Sequence, residues 1–179
     1  MARYGLLIDP SRCTGCSACS IACSQHNNLS LELDYNRLEF LERGTYPNVK
    51  MEIIPLQCMH CDNPPCATVC PTRATYKRED GIVSVDESKC IGCKYCMTAC
   101  PYDARVINDN RIPEKCRWCP EILTQGGQPA CSSTCMNEVR LFGDLDDPNS
   151  EINKKMAKHD LYQLVPEKGT KPRIYYVKK

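Results

Sequence analysis

Sixteen cysteines stand in four groups of four, and their spacing is the chemistry this chain offers first. Group one is Cys13, Cys16, Cys19 and Cys23; group two is Cys58, Cys61, Cys66 and Cys70; group three is Cys90, Cys93, Cys96 and Cys100; group four is Cys116, Cys119, Cys131 and Cys135. Groups one and three read C-x2-C-x2-C-x3-C, and group two reads C-x2-C-x4-C-x3-C. Group four is a C-x2-C and a C-x3-C separated by eleven residues. Three chemistries compete for such thiols. Disulfides suit short secreted chains, and thiols three residues apart in one tight loop are poorly placed for the bond geometry. Structural zinc usually draws on two C-x2-C pairs with a long spacer. A triple run supplies three thiolates from one turn, which suits the separate iron corners of a cuboidal cluster better than a single tetrahedral ion.

The run C-x2-C-x2-C-x3-C-P is the bacterial ferredoxin spacing, in which the fourth cysteine ligates the other cluster of a pair. Cys100-Pro101 and Cys70-Pro71 both end this way. Sixteen thiolates satisfy four [4Fe–4S] clusters with none left over, so no iron keeps an open position for a substrate. That favours electron transfer over catalysis. A zinc- or disulfide-stapled adaptor is the alternative from a different class, and iron and sulfide analysis separates the two.

Loops that wrap clusters need elements to hold them, and an internal repeat shows which. Residues 7–23 align with 84–100 at eight of seventeen positions: Asp9/Asp86, Ser11/Ser88, Cys13/Cys90, Gly15/Gly92, Cys16/Cys93, Cys19/Cys96, Ala22/Ala99 and Cys23/Cys100. Each copy has a short β segment (residues 4–8 and 81–85), an Asp that opens a turn, and a Gly between the first two ligands. A short helix ending near Cys23 or Cys100 follows. Backbone N–H groups of such loops offset a cluster's negative charge, and Pro71 and Pro101 turn the chain away. The expected fold class is α+β, a duplicated two-[4Fe–4S] ferredoxin-like fold with loop and hairpin insertions.

Around the ligand loops the chain reads as connector. Residues 37–42 and 49–54 form a hairpin about Tyr46-Pro47-Asn48 that covers a cluster pair or meets a partner. Residues 121–130 read as a loop, residues 150–160 as a short helix with Ser150 as N-cap, and residues 173–177 as a terminal strand. The expected domains are 1–57 plus 114–145 as one cluster-binding half, with the hairpin inserted at about 37–54, 58–113 as the other, and 146–179 as a C-terminal extension.

Composition agrees with a metal-built interior. The chain has 179 residues, 2 Phe and 1 Trp, so aromatic packing cannot make its core. Such a length means one compact domain or two very small ones. Charged residues are 25% and the formal net charge is +1, so no face is committed to nucleic acid. Four oxidised clusters with their thiolates, each about −2, bring that to roughly −7; backbone dipoles and nearby cations must offset it. Neither a secretory leader nor a membrane span is visible, so membrane association is expected to come through a partner.

Residues 70–105 (CPTRATYKREDGIVSVDESKCIGCKYCMTACPYDAR), 57–66 (QCMHCDNPPC), 115–119 (KCRWC) and 142–150 (FGDLDDPNS) together resemble the four-cluster iron–sulfur subunits of the molybdopterin oxidoreductase (DMSO reductase) family. Residues 164–176 (LVPEKGTKPRIYY) and 42–47 (ERGTYP) resemble its polysulfide, thiosulfate and tetrathionate reductase branch. The resemblance spans nearly the whole chain. It implies that group one pairs with group four, and group two with group three. One cluster then takes Cys13, Cys16, Cys19 and Cys135, and its neighbour Cys23, Cys116, Cys119 and Cys131. A third takes Cys58, Cys61, Cys66 and Cys100, and a fourth Cys70, Cys90, Cys93 and Cys96.

The resemblance also implies partners: a molybdopterin (Mo or W) catalytic subunit next to the one/four pair and a quinone-linked membrane subunit next to the two/three pair. A soluble formate dehydrogenase or hydrogenase is the alternative partner. It implies residence on the extracytoplasmic face, reached with a signal-bearing partner, with the cytoplasm as alternative. Some relatives replace the second cysteine of group three and hold a three-iron cluster; here that residue is Cys93, so four irons are expected. Met136 follows Cys135 where relatives often have Pro, and Arg73 stands where ferredoxins commonly have Gly. A C-terminal membrane helix found in some formate dehydrogenase relatives is absent.

Beside the ligands, His60 reads as a packed loop histidine, with tuning of a cluster as its functional alternative. Trp118 reads as a solvent shield that tunes its cluster by lowering the local dielectric, with an electron relay as the alternative. Tyr95 and Met97 are expected to pack on a cluster or partner. Arg73, Lys77, Arg78, Lys89 and Lys94 read as a solvated face around the two/three pair.

Overall fold

The structure, a computed structural model, describes residues 2–178. Strand β1 (Tyr4–Ile8) leads through a 3₁₀ turn into helix α1 (Ala18–Asn27). A long hairpin follows, β2 (Asn36–Arg43) and β3 (Lys50–Gln57). Then come α2 (Pro65–Thr68), β4 (Thr75–Lys77), β5 (Val83–Val85), α3 (Tyr95–Thr98), β6 (Val106–Ile107) and β7 (Pro113–Glu114). The chain closes with α4 (Pro120–Leu123), α5 (Ala130–Ser133), β8 (Arg140–Asp144), α6 (Glu151–Met156), β9 (Leu161–Tyr162) and β10 (Ile174–Val177).

The largest sheet has the order β8-β1-β10-β9. Strand β1 pairs antiparallel with β8 (Leu6 opposite Phe142) and parallel with β10 (Leu6 opposite Ile174). Side chains alternate along a strand, so Leu6 and Ile8 enter the main core with Trp118, Phe142, Ile174 and Tyr176. Leu7 points the other way, into a smaller core with Ile152 of α6 and Val177. A strand covered on both faces needs consecutive apolar residues, and Leu6-Leu7-Ile8 supplies them. The strand expected at 173–177 exists as β10 and lies inside this sheet, between β1 and β9.

The repeat seen in sequence is repeated in geometry. Asp9 Oδ1 accepts from the Ser11 N–H at 3.1 Å, and Asp86 Oδ1 accepts from the Ser88 N–H at 3.1 Å. Each Asp caps a 3₁₀ turn, Pro10–Arg12 or Glu87–Lys89. Gly15 and Gly92 follow at φ 74° and 69°, then Ser17 and Lys94 at 59° and 64°. Positive φ costs a β-carbon-bearing residue, so glycine eases the first position. At Gly15 there is a second reason: a Cβ there would lie 3.1 Å from Phe40 and Ile53 of the hairpin. The hairpin therefore covers the group-one loop.

Boundaries differ where sequence periodicity is weak. The helix expected to end near Cys23 continues to Asn27, where Asn28 in left-handed conformation terminates it. The segment read as a loop over 121–130 carries α4 and the start of α5. Each follows a proline signal, Pro120 at the first turn of α4 and Pro129 just before α5; four-residue helices are too short to show a hydrophobic period. The helix read over 150–160 is confined to α6, with Ser150 accepting from the Asn153 N–H at 3.4 Å.

One carboxylate ties the chain ends to the middle. Asp62 accepts from Arg3 (2.8 Å), Lys77 (2.9 Å) and Arg173 (2.8 and 2.6 Å). Burial opposes its charge, but these three cations hold its carboxyl far below the usual carboxylate range. Asp62→Asn is expected to lower stability by about 2 kcal/mol, because Arg173 is buried and loses its counter-charge. Denaturant unfolding of the cluster-loaded chain checks this, and an unchanged midpoint would refute it.

Candidate metal centres

Cys13 and Cys16, between β1 and α1, and Cys19, in the first turn of α1, line one small cavity together with Cys135 after α5. Cys58 and Cys61, between β3 and α2, and Cys66, within α2, line another with Cys100 after α3. In both, three consecutive cysteines of one group meet the last cysteine of a different group. A third neighbourhood is electrostatic. Burial pushes Cys23 up to about 12, and Cys131 and Cys119 push the same way. Cys116 is driven well above the ordinary thiol range by burial, then by Cys131, Cys23 and Cys58. A fourth forms at α3, where burial raises Cys96 and Cys66, Cys90 and Cys93 add to it, opposed by Arg105. Cys70 sits in a cradle of its own loop: burial opposes its thiolate, yet the Thr75 N–H at 3.5 Å and Thr72 bring it below the ordinary thiol range. Such N–H cradles favour anions.

Thiols this buried and this close stay protonated unless a cation replaces the proton; burial and neighbouring thiols likewise push Cys61 up to about 12. Among the described residues no group of three or more His, Cys, Asp or Glu converges tightly enough for a single ion. Four thiolates around one zinc lie within about 4 Å of each other. In each of the two cavities four cysteines line a space rather than converge on a point, an arrangement that suits a cuboidal group with one thiolate per corner.

The buried polar atoms agree. Six have no partner among the described residues: Asn36 Nδ2, Gln57 Nε2, His60 Nε2, Arg105 Nε, Trp118 Nε1 and Ser132 Oγ. Buried polar groups are nearly always satisfied. The two amide nitrogens, the guanidinium Nε and the indole nitrogen can only donate, and the Ser132 hydroxyl can. His60 Nδ1 accepts the Val83 N–H at 3.1 Å, so the neutral ring carries its proton on Nε2. Unmet donors want acceptors, and sulfide with thiolate is an acceptor-only group. The residues present therefore fit iron–sulfur clusters.

His60 is wholly buried, and its ring stacks on Trp118 at 4.0 Å between centroids, with Phe142 edge-on to Trp118 at 5.2 Å. The structure shows His60 packed in this core, with its Nε2 donor free of a partner among the described residues. Burial, then Lys115 and Arg173, keep it neutral. Trp118, 1% exposed, closes the Cys116–Cys119 loop against solvent. His60→Ala is expected to leave the cluster number unchanged and move at most one reduction potential. It should cost about 1–3 kcal/mol, because the Val83 N–H loses its acceptor. Cluster counting by EPR checks this; loss of a cluster would contradict the packing role.

Of the expected flanking residues, Met97 is half-buried against Cys66 and Cys96, while Tyr95 stays exposed. Lys77, Arg78 and Lys89 form ion pairs with Asp62, Asp80 and Asp86. The cations that reach the cysteines are others: Arg105, Lys115 and Arg140, all buried. Sequence reading missed them, though Arg105 and Arg140 share one signal: each stands five residues after the last cysteine of its group.

The class follows from comparison with known families. The 4Fe-4S dicluster domain matches twice, over residues 12–74 and over residues 49–145. Two dicluster matches and sixteen cysteines give four [4Fe–4S] clusters. Among curated proteins, the B subunit of Salmonella typhimurium tetrathionate reductase is 41% identical over 98% of this chain and 72% of its own length. The B subunit of Allochromatium vinosum sulfite dehydrogenase is 40% identical over 99% and 83%. The corresponding polypeptide of Wolinella succinogenes polysulfide reductase is 38% identical over 98% and 94%. This protein belongs to the family of iron–sulfur electron-transfer subunits of the molybdopterin oxidoreductases (DMSO reductase family). Such subunits relay electrons within a multi-subunit oxidoreductase and are not its catalytic part.

Proposed function

We propose that this chain relays electrons between a molybdopterin catalytic subunit and a quinone-linked membrane subunit, in anaerobic respiration of a sulfur compound or oxyanion. When bound, the clusters supply four one-electron centres along the polypeptide. Cys13, Cys16, Cys19 and Cys135 would hold the first, and Cys23, Cys116, Cys119 and Cys131 the second. Cys58, Cys61, Cys66 and Cys100 would hold the third, and Cys70, Cys90, Cys93 and Cys96 the fourth.

One observation carries this assignment: the fourth cysteine in each lined cavity comes from a different group, Cys135 with group one and Cys100 with group two. That exchange is the ferredoxin pattern of paired clusters. It divides the ligands into two halves, residues 1–57 plus 114–145 and residues 58–113. The matched loops at Asp9–Ser17 and Asp86–Lys94 support descent by duplication. His60 and Trp118 stack across the two halves, and Cys58 lies close enough to Cys116 to help raise the Cys116 thiol. These contacts support a relay in which the second and third sites are neighbours.

Relatives named as reductases of tetrathionate and polysulfide support the respiratory reading. No helix among the described residues is long and apolar enough to cross a membrane, so quinone contact would fall to a partner. Residence on the extracytoplasmic face, by transport with a signal-bearing catalytic partner, completes the proposal. Affinity isolation of the tagged chain from its host tests it. A large subunit carrying Mo- or W-pterin and a polytopic membrane subunit should come with it. Isolation with a soluble formate dehydrogenase or hydrogenase alone would overturn the respiratory assignment.

A further inference from the structure

Two arginines are sealed inside the protein without a carboxylate partner among the described residues. Arg105 and Arg140 are each 4% exposed. Arg105 donates to the Pro113 carbonyl at 3.3 Å and the Thr75 hydroxyl at 3.2 Å. Arg140 donates to Gln57 Oε1 and, at 2.5 Å, to Asn36 Oδ1. All four acceptors are neutral. An uncompensated buried guanidinium is strongly unfavourable, so a negative charge must face each one.

Cysteines are what face them. Arg140 lines the cavity of Cys13, Cys16, Cys19 and Cys135. Burial works against its charge, and Cys131, Cys19 and Cys116 are among the groups that more than offset this. Arg105 lines the cavity of Cys58, Cys61, Cys66 and Cys100, and there Cys66, Cys96 and Cys58 overcome the same burial penalty. Each arginine thus touches the surroundings of both cluster sites in its half. Arg105 keeps one buried donor, Nε, without an acceptor among the described residues. The two residues occupy the same offset, five positions after Cys100 and after Cys135.

We propose that Arg105 and Arg140 act as internal counter-ions of the two cluster pairs, one arginine per half, and that each raises the reduction potential of both clusters it faces. A fixed positive charge in a low-dielectric interior favours the extra electron. Arginine suits the position because its charge is permanent and its planar fork is held by two acceptors at once. Both are positioning and tuning residues; neither ligates iron.

The inference rests on the cluster assignment above, and an EPR-monitored redox titration of the complete chain in its native complex separates the two. Arg140→Gln should retain four clusters and make the two of the one/four half harder to reduce. The equilibrium constant should fall about tenfold, about 59 mV for one electron, with a smaller change in the other two. Arg140→Lys should stay within about threefold of the parent. Arg105→Gln should give the mirror result in the other half. Absence of clusters in the parent chain would end both readings. Four clusters with unmoved potentials in Arg140→Gln, or equal shifts in all four, would overturn only this one. If Arg140→Gln takes up no clusters, Arg140→Lys decides: uptake at near-parental potentials supports the charge role, and failure overturns it.

Discussion

Removal of iron from the loaded chain is expected to unfold it. Among the described residues, only α1 reaches ten residues and the other helices have four to six; isolated helices that short are unstable. Eight of the sixteen cysteines are buried, and four of those sit in the main core beside its few large side chains. Several ligand-loop residues hold positive φ, among them Ser17, His60, Arg73, Lys94, Trp118 and Cys119, at a cost of order 1–3 kcal/mol each. A structural metal site contributes on the order of 10 kcal/mol of folding free energy, while a whole domain nets only about 5–15. Loss of two clusters therefore exceeds the margin. Anaerobic chelation followed by near-ultraviolet circular dichroism should show the Trp118 signal collapse, with recovery only when iron and sulfide return. An apo chain that melts cooperatively within a few degrees of the loaded one would refute this.

Cys93→Ser is expected to interrupt the relay without unfolding the protein. Cys93 is exposed in the loop before α3, so its sulfur contributes little to the core. As the second ligand of group three it would hold one corner of the cluster that also uses Cys70, Cys90 and Cys96. Serine binds iron less well, and the site should convert to a three-iron form or empty. Quinone-coupled turnover should drop about tenfold or more, while the thermal midpoint falls far less than on full iron removal. Four intact four-iron EPR signals with full turnover would show that Cys93 is not a ligand.

Much of this site is legible in the sequence because local chemistry fixes it. The spacing Cys90-x2-Cys93-x2-Cys96 and the glycines at 15 and 92 encode their loops within a few residues. Tyr4–Ile8 shows its strand through an apolar run, and the hairpin through its alternation, although each hairpin strand is two residues longer than the pattern indicates and β3 ends three residues later. The rest depends on contacts between distant segments. Nothing near Arg140 says that Asn36 and Gln57, the first and last residues of the hairpin, will grip it. Nothing near His60 says that Trp118 will stack on it. The conspicuous cations around groups two and three, such as Arg78 and Lys89, turn out to pair with carboxylates, while the inconspicuous Arg105 goes inside. Exposure of a lysine or arginine is a property of the packed chain, not of its neighbours in sequence.

Iron and acid-labile sulfide, assayed per polypeptide on anaerobically isolated material, test the central claim most directly. The account predicts about sixteen of each, with a paramagnetic signal appearing on dithionite reduction. Zinc in place of iron, or colourless protein that stays silent on reduction, would contradict it.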